Sequence, residues 1–439
     1  MEKRETVDKS DVHEEVRALA RRARQAARET SRLTGEDKNR ALALMAGAVA
    51  DDRVAIMEAN ERDMLAAKQA SEAGGRLDRL RLTDERITGM VEGLRQIALL
   101  ADPVGERVAE LHPANGLLIE QVRVPIGVIG IVYEARPNVT VDAAALTVKT
   151  GNAVILRGGS EAFHSNRALV QALRKGLSHA GLAKDLVLLI ESTDRASVDA
   201  LITARGLVDV VIPRGGAGLI DRVVRHASVP VIETGVGNCH VYVDQDADTE
   251  MAVAITVNAK AQRPSVCNAA ETLLVHESAA RDFLPAAALA LGRRGVEMRL
   301  DEKASAILRA GLDRSQLLDL RLQGATEVDY ETEYNDFILA VKVVSSLGEA
   351  LDHIARYGTK HSEAIVTDSD AAADTFLREV DAAVVYHNAS TRFTDGYEFG
   401  FGAEIGVSTQ KLHARGPMGL RALTSYKYLV KGSGQIRGE

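Results

Sequence analysis

Hydrophobic and small residues recur at helical spacing near the start of the chain. From Asp11 onward they fall at Val12, Val16, Leu19, Ala23 and Ala26, which predicts an amphipathic helix after a frayed start over residues 1–10. Thr34, with Asp37 three residues on, reads as a weakened capping box for a second helix carrying ALALMAGAVA. Val54, Met57 and Leu65 mark a third. Further along, the period changes. Short β-branched runs at Val128–Tyr133, Ala153–Leu156, Leu186–Ile190, Val208–Ile212 and Val229–Ile232 alternate with segments of helical length at Asp142–Lys149, Asn166–His179, Arg195–Ala204 and Leu219–His226. Such alternation predicts a parallel sheet with right-handed crossovers and helices on both faces. Sheets of this kind place ligands beyond the carboxyl ends of their strands.

A second α/β unit is expected from strand-like runs at Glu271–Val275, Ile338–Val344, Ala364–Thr367 and Ala382–Tyr386, with helical patterns such as Ala279–Leu291 and Leu347–Tyr357 between them. The boundary is placed near Val243–Asp244, where VYVDQDAD turns acidic. Residues 105–123 interrupt the pattern with a hairpin signal around Pro113-Ala114-Asn115-Gly116, and Tyr426–Val430 forms a further strand-like run near the end. Two strands outside both units suit covering the sheet edge of a partner subunit.

Composition narrows the function. The 439 residues suit two or three domains at about 150 residues each. There are 54 Lys+Arg against 62 Asp+Glu, and this net charge of −8 argues against nucleic-acid binding as the main activity. No tryptophan is present, which disfavours a stacking platform for single strands. The start MEKRETVDKSDVHEE lacks the apolar core of a signal peptide. The longest nearly apolar stretches, Val124–Tyr133 and Phe283–Gly292, are too short to span a bilayer. Cys239 and Cys267 make neither a disulfide framework nor metal-type spacing. A cytoplasmic enzyme of small molecules, without metal, membrane or nucleic acid, is the expectation.

Cys267 lies in the polar run Asn258-Ala259-Lys260-Ala261-Gln262-Arg263-Pro264-Ser265-Val266-Cys267-Asn268. A free cysteine is most often a small buried hydrophobe. A polar loop with Lys260 and Arg263 nearby instead favours a thiolate nucleophile. Cys239 opens a strand-like run and reads as structural. Asn138, in Arg136-Pro137-Asn138-Val139, suits either an oxyanion donor or a turn. Gly215-Gly216-Ala217-Gly218 follows a strand and opens a helix, which suits a bound phosphate or a tight turn. The dinucleotide fingerprint G-x-G-x-x-G is missing.

Four strings, IGVIGIVYEARPNVTVDAAALTVKTGNAVILRGG, NAKAQRPSVCNAAETLLVH, NASTRFTDG and STQKLHARGPMGL, resemble the aldehyde dehydrogenase superfamily and, within it, the gamma-glutamyl phosphate reductase family. The resemblance implies two Rossmann-like α/β domains plus a small β oligomerisation flap. It implies residues 1–104, 124–243 and 389–414 as the NADP-binding domain, 244–388 as the catalytic domain, and 105–123 with 415–439 as the flap of a homo-oligomer. It accounts for the missing fingerprint, because this superfamily binds nicotinamide cofactors without it.

The implied reaction is NADPH-dependent reduction of L-glutamyl 5-phosphate to L-glutamate 5-semialdehyde through a thioester on Cys267, the second step from glutamate to proline. Asn138 matches the oxyanion residue, Glu233 the superfamily's general base, and Glu333 the acid that holds the nicotinamide ribose. A water-activating Glu would hydrolyse the thioester, so Glu233 is expected to matter less here. Arg263 and then Arg136 are candidates for the substrate phosphate, and Arg392 for the α-carboxylate, since the guanidinium fork suits both anions. Their alternative is a salt bridge. Arg157, Gly158, Gly159 and Ser160 are expected at the cofactor's 2′-phosphate, and Gly215 and Gly216 at its other phosphates. The resemblance also implies association with a glutamate 5-kinase as the source of the acyl phosphate. A hydrolytic aldehyde dehydrogenase using Cys267 and Glu233 is the competing reading.

Overall fold

In a computed structural model, residues 9–70 and 74–437 are described. The frayed start expected for residues 1–10 falls mostly outside them; Lys9 already begins a helix, Lys9–Glu29. The second helix, Gly35–Asp51, opens on the expected capping box: the Asp37 N–H donates to Thr34 Oγ1 at 3.2 Å, and the Thr34 N–H to Asp37 Oδ2 at 3.0 Å. It buries Leu42, Met45, Ala46 and Val49 and packs on the helices Phe163–His179 and Asp84–Leu99. Gly176 makes the first of these approaches possible, because a Cβ there would stand 2.4 Å from Met45 Cα.

The chain divides into two units. The first comprises Met1–Glu233, Gly400–Gly406 and Met418–Glu439. It holds a hairpin, β1 (Arg107–Leu111) and β2 (Leu118–Pro125), turned at Gly116 with φ 79°. The C-terminal strand Thr424–Lys431 adds antiparallel to β2, so these strands pair within the first unit rather than lying outside both units. Four strands form a parallel sheet: β3 (Val128–Tyr133), β4 (Ala153–Gly158), β5 (Val187–Leu189) and β6 (Val210–Arg214), in the order β5-β4-β3-β6. The fifth expected strand, Val229–Ile232, shrinks to a single bridge between Val211 and Val231. Pro230 has no N–H to give a ladder, and only its carbonyl takes part, accepting from the Val211 N–H at 2.9 Å.

The second unit comprises Thr234–Phe399 and Val407–Pro417. Its sheet contains β7 (Cys239–Val243), β8 (Ala270–His276), β9 (Glu297–Leu300), β10 (Arg321–Gly324), β11 (Ile338–Val344), β12 (Ser362–Val366) and β13 (Val384–His387). All pair parallel, in the order β10-β9-β11-β8-β7-β12-β13. Leu273, Val341, Phe283 and Leu291 centre its larger core.

Two domain expectations are corrected. Strand β7 lies between β8 and β12, so the division falls after Glu233 rather than at Val243–Asp244. The acidic run that seemed a boundary is helix-capping chemistry: Asp248 accepts from the Met251 N–H at 2.7 Å and opens the helix Thr249–Ala261. Residues 389–399 and 407–414, expected in the first domain, belong to the second unit. Thr394 is tied there by the Ser362 hydroxyl at 2.6 Å. Strands β9 and β10 escaped the sequence pattern because EMRL and RLQG are short and polar.

Candidate active site

In the second unit the nucleophile candidate does not follow the carboxyl-end rule. Cys267 lies in a turn leading into β8, at the amino edge of the sheet, beside the first residues of β7 and β12. The turn is closed by the Ala269 N–H donating to Val266 O at 3.1 Å, and Cys267 is half-buried. Its backbone rests on Gly237. A Cβ at Gly237 would lie 1.4 Å from Cys267 O and 2.8 Å from Cys267 Cα, so only glycine admits the contact. Gly237 is itself anchored, its N–H donating to Glu333 Oε1 at 2.7 Å. Next to it, the Asn238 amide donates to Tyr330 O at 2.7 Å and Tyr357 O at 2.9 Å. The buried Cys239 thiol donates to Cys267 O at 3.2 Å. Burial, reinforced by nearby Glu363 and Cys267, pushes the Cys239 thiol up and keeps it protonated. Cys239 is therefore a seat for the other cysteine's loop.

Arg392 belongs to the same cluster. Its Nε–H donates to Gln262 Oε1 at 2.9 Å and its Nη1 to Asn268 Oδ1. Asn268 returns its amide to Thr394 O at 2.9 Å, and its carbonyl accepts the Thr391 hydroxyl at 2.7 Å. Burial lowers the guanidinium's pKa; Cys267 favours its charge and Arg263 opposes it. Arg392 is thus the electrostatic neighbour of both the Cys267 thiol and the Arg263 guanidinium. Arg136 belongs to the first unit, as the N-cap of its helix Pro137–Lys149.

Lys260 does not act as a neighbour that favours the thiolate. It ends the helix Thr249–Ala261 pointing inward, fully buried, and gives its charge to Glu271 Oε2 at 2.6 Å. Burial pushes the lysine's pKa down and the Glu271 carboxyl up, to about 7. Glu271 Oε1 accepts the Asn335 N–H at 3.2 Å. Glu333 likewise has one oxygen committed to Gly237, beyond the cofactor role that the resemblance implied.

In the first unit the candidate cofactor residues lie at carboxyl ends of strands. Gly158 ends β4 and Gly159 and Ser160 follow it, while Gly215 and Gly216 follow β6 and open the helix Ala217–His226. Added Cβ atoms would meet nothing within 4 Å at Gly218 and nothing closer than 3.9 Å at Gly216, whereas one at Gly215 would stand 2.7 Å from Glu134 Oε2, so the open backbone is that of Gly216 and Gly218. Glu134 is already drawn to it, accepting the Gly216 N–H at 3.0 Å. The guanidinium of Arg157 is committed to the fold. It is 8% exposed and spends four of its five N–H groups on Ser197 Oγ, Gly158 O, Thr193 O and Asp194 O. Asn138 is exposed at the start of Pro137–Lys149, with its amide donating to Asp142 Oδ2 at 3.2 Å. Burial lifts the Asp142 carboxyl to about 6, against the pull of Asn138 and Arg214. Glu233 is the half-buried last residue of this unit's long segment.

Sequence reasoning picked out Asn268 as a residue that fixes the loop, and it missed Gly237, Gln262 and Asp142. Asp142 was findable, because it lies four residues after Asn138 on one helix face. Gly237 stood out in T-G-V-G-N only as a glycine, with nothing to name the backbone that it meets. Among the described residues, no group of three His, Cys, Asp or Glu side chains is placed to hold a metal ion, and no helix is long and apolar enough to cross a membrane.

A sequence model of the aldehyde dehydrogenase family matches residues 4–306. The gamma-glutamyl phosphate reductase of Moorella thermoacetica is 58% identical over 96% of this chain and 99% of its own, and that of Enterococcus faecalis is 53% identical over 96% and 99%. The crystal structure of the Thermotoga maritima gamma-glutamyl phosphate reductase superposes with a TM-score of 0.92 at 47% identity, covering 97% of this chain and all of that one. An acetylating aldehyde dehydrogenase from Geobacillus thermoglucosidasius, 16% identical, shares the fold with a TM-score of 0.69 over 99% of this chain and 100% of its own. The chain belongs to the aldehyde dehydrogenase family and, within it, to the gamma-glutamyl phosphate reductases.

Proposed function

We propose that this chain reduces L-glutamyl 5-phosphate to L-glutamate 5-semialdehyde and phosphate, with Cys267 as the nucleophile. The observation that carries the reading is the seating of Cys267: a half-buried cysteine in a turn clamped by Gly237 and Cys239, with Arg392 as its cationic neighbour and Arg263 next to Arg392. In this reading the Cys267 thiolate attacks the acyl carbon, forming a C–S bond as the C–O bond to phosphate breaks. Two neighbouring arginines suit a substrate that carries a phosphate at one end and an α-carboxylate at the other. NADPH, when bound, supplies the hydride that reduces the thioester carbon. The resulting thiohemiacetal alkoxide expels the Cys267 thiolate and leaves the aldehyde. Asn138 is assigned the developing oxyanion; losing one such donor typically raises a barrier by about 3 kcal/mol.

The glycine turn at Gly215–Gly216 and the open backbone of Gly218 fit a dinucleotide phosphate at a helix N-terminus. For the 2′-phosphate we assign Gly158, Gly159 and Ser160, with Arg157 behind them as a charge rather than a hydrogen-bonding fork. Glu233 is given no essential role. The three-stranded flap, with Tyr426, Tyr428 and Val430 exposed, is assigned to a homo-oligomer contact. An acyl phosphate is labile, so a glutamate 5-kinase is the assigned source. The test is the reverse reaction: oxidation of glutamate semialdehyde by NADP should require phosphate. Equal rates without phosphate would favour a hydrolytic dehydrogenase and overturn the reading.

A further inference from the structure

We propose that Asp142 is the positioning residue for the Asn138 amide, its carboxylate fixing the NH2 end of that amide as the donor it presents. The proposal rests on the reading of Asn138 as oxyanion donor and assigns a role to a residue that this reading leaves unused. Asn138 and Asp142 are four residues apart on the helix Pro137–Lys149, so both side chains rise from one face. Asn138 Nδ2 lies 3.2 Å from Asp142 Oδ2.

The chemistry of the pair is directional. An ionised carboxylate only accepts, so the amide must turn its NH2 group toward Asp142. That group has two hydrogens. One is taken by the carboxylate, and the second is left on the same side of the amide for an incoming oxyanion. Without Asp142 the amide's two ends are nearly equal in shape and can exchange places. The exchanged rotamer would aim a carbonyl oxygen at developing negative charge. Arg214 supports the ionised form of Asp142 electrostatically. It is held beside Gly406, where an added Cβ would stand 2.4 Å from its Nη1.

The test is a double-mutant cycle in the phosphate-dependent oxidation of glutamate semialdehyde, with kcat, KM and Tm read for each protein. Asp142→Leu should lower kcat at least tenfold while changing KM less than twofold and leaving Tm nearly unchanged. Asp142→Asn, nearly isosteric, should lose less, because its amide oxygen can still accept. In an Asn138→Ala background, Asp142→Leu should change kcat less than twofold, since there is no longer an amide to orient. An equal loss in both backgrounds, or an Asp142→Leu enzyme with full kcat, would overturn the positioning role. Full kcat in Asn138→Ala alone would instead overturn the oxyanion reading on which it stands.

Discussion

Gly237→Ala is the most telling single perturbation of the nucleophile's seat. The added methyl would stand 1.4 Å from Cys267 O, 2.3 Å from its carbonyl carbon and 2.8 Å from its Cα, whereas ordinary contact begins at 3.4 Å. All three obstacles are backbone, so no side-chain rotation relieves them. Position 237 has little freedom to retreat. Its N–H is bonded to Glu333, and Asn238 is fastened by its own N–H to Thr359 Oγ1 at 3.0 Å as well as by its side chain. The Cys267 turn must therefore give way by about 2 Å, and a misplacement of about 1 Å already costs about 10²-fold in rate. We expect kcat/KM to fall at least about 100-fold, equivalent to about 2.7 kcal/mol of barrier. Overpacking should also cost about 1–3 kcal/mol of stability. The assay is the initial rate of NADPH formation from semialdehyde, NADP and phosphate, alongside the rate of Cys267 alkylation and Tm. Gly89→Ala is the control: it lies in the helix Asp84–Leu99 with nothing within 4 Å of an added Cβ, and should stabilise by about 0.5–1 kcal/mol without loss of activity. A Gly237→Ala enzyme within threefold of wild type would refute the clamp.

Lys260→Met should destabilise by about 3–5 kcal/mol in urea unfolding, because it strands the buried Glu271 charge, and adding Glu271→Leu should recover much of that loss. Arg157→Met should lower Tm through lost hydrogen bonds to the 193–197 turn and weaken the NADPH-to-NADH preference without reversing it; a reversed preference would return Arg157 to direct cofactor contact. The Asp142 carboxyl is raised to about 6, so its ionised form is present above that pH and lost below it. If it orients Asn138, kcat should fall as pH drops through about 6, and this limb should be missing from the pH profile of Asp142→Asn.

Much of the fold was legible because burial leaves a periodic trace. Strands Val128–Tyr133 and Ile338–Val344 match their apolar runs residue for residue, since central parallel strands are buried on both faces. Strands β9 and β10 left weaker traces because they are four residues each and partly polar. The division between units was misplaced because an acidic run has two physical uses, a solvated linker and a helix cap, and composition does not separate them. Cys267 stood out by its polar surroundings. Its seat did not, because Gly237 and Cys239 meet the Cys267 backbone through contacts that neighbours in sequence do not reveal. The commitment of Arg157 was invisible for the same reason: three of its four partners are carbonyls, and every residue has one.

The central claim is that a thiol at position 267 carries the acyl group. Its most direct measurement is phosphate-dependent NADP reduction by glutamate semialdehyde, run on wild type and Cys267→Ser, with mass spectrometry of the enzyme after brief exposure to L-glutamyl 5-phosphate without NADPH. The account predicts that wild type is active only with phosphate and gains one glutamyl adduct on Cys267, and that Cys267→Ser is inactive and gains none. Undiminished activity in Cys267→Ser, or an adduct on another residue, would contradict it.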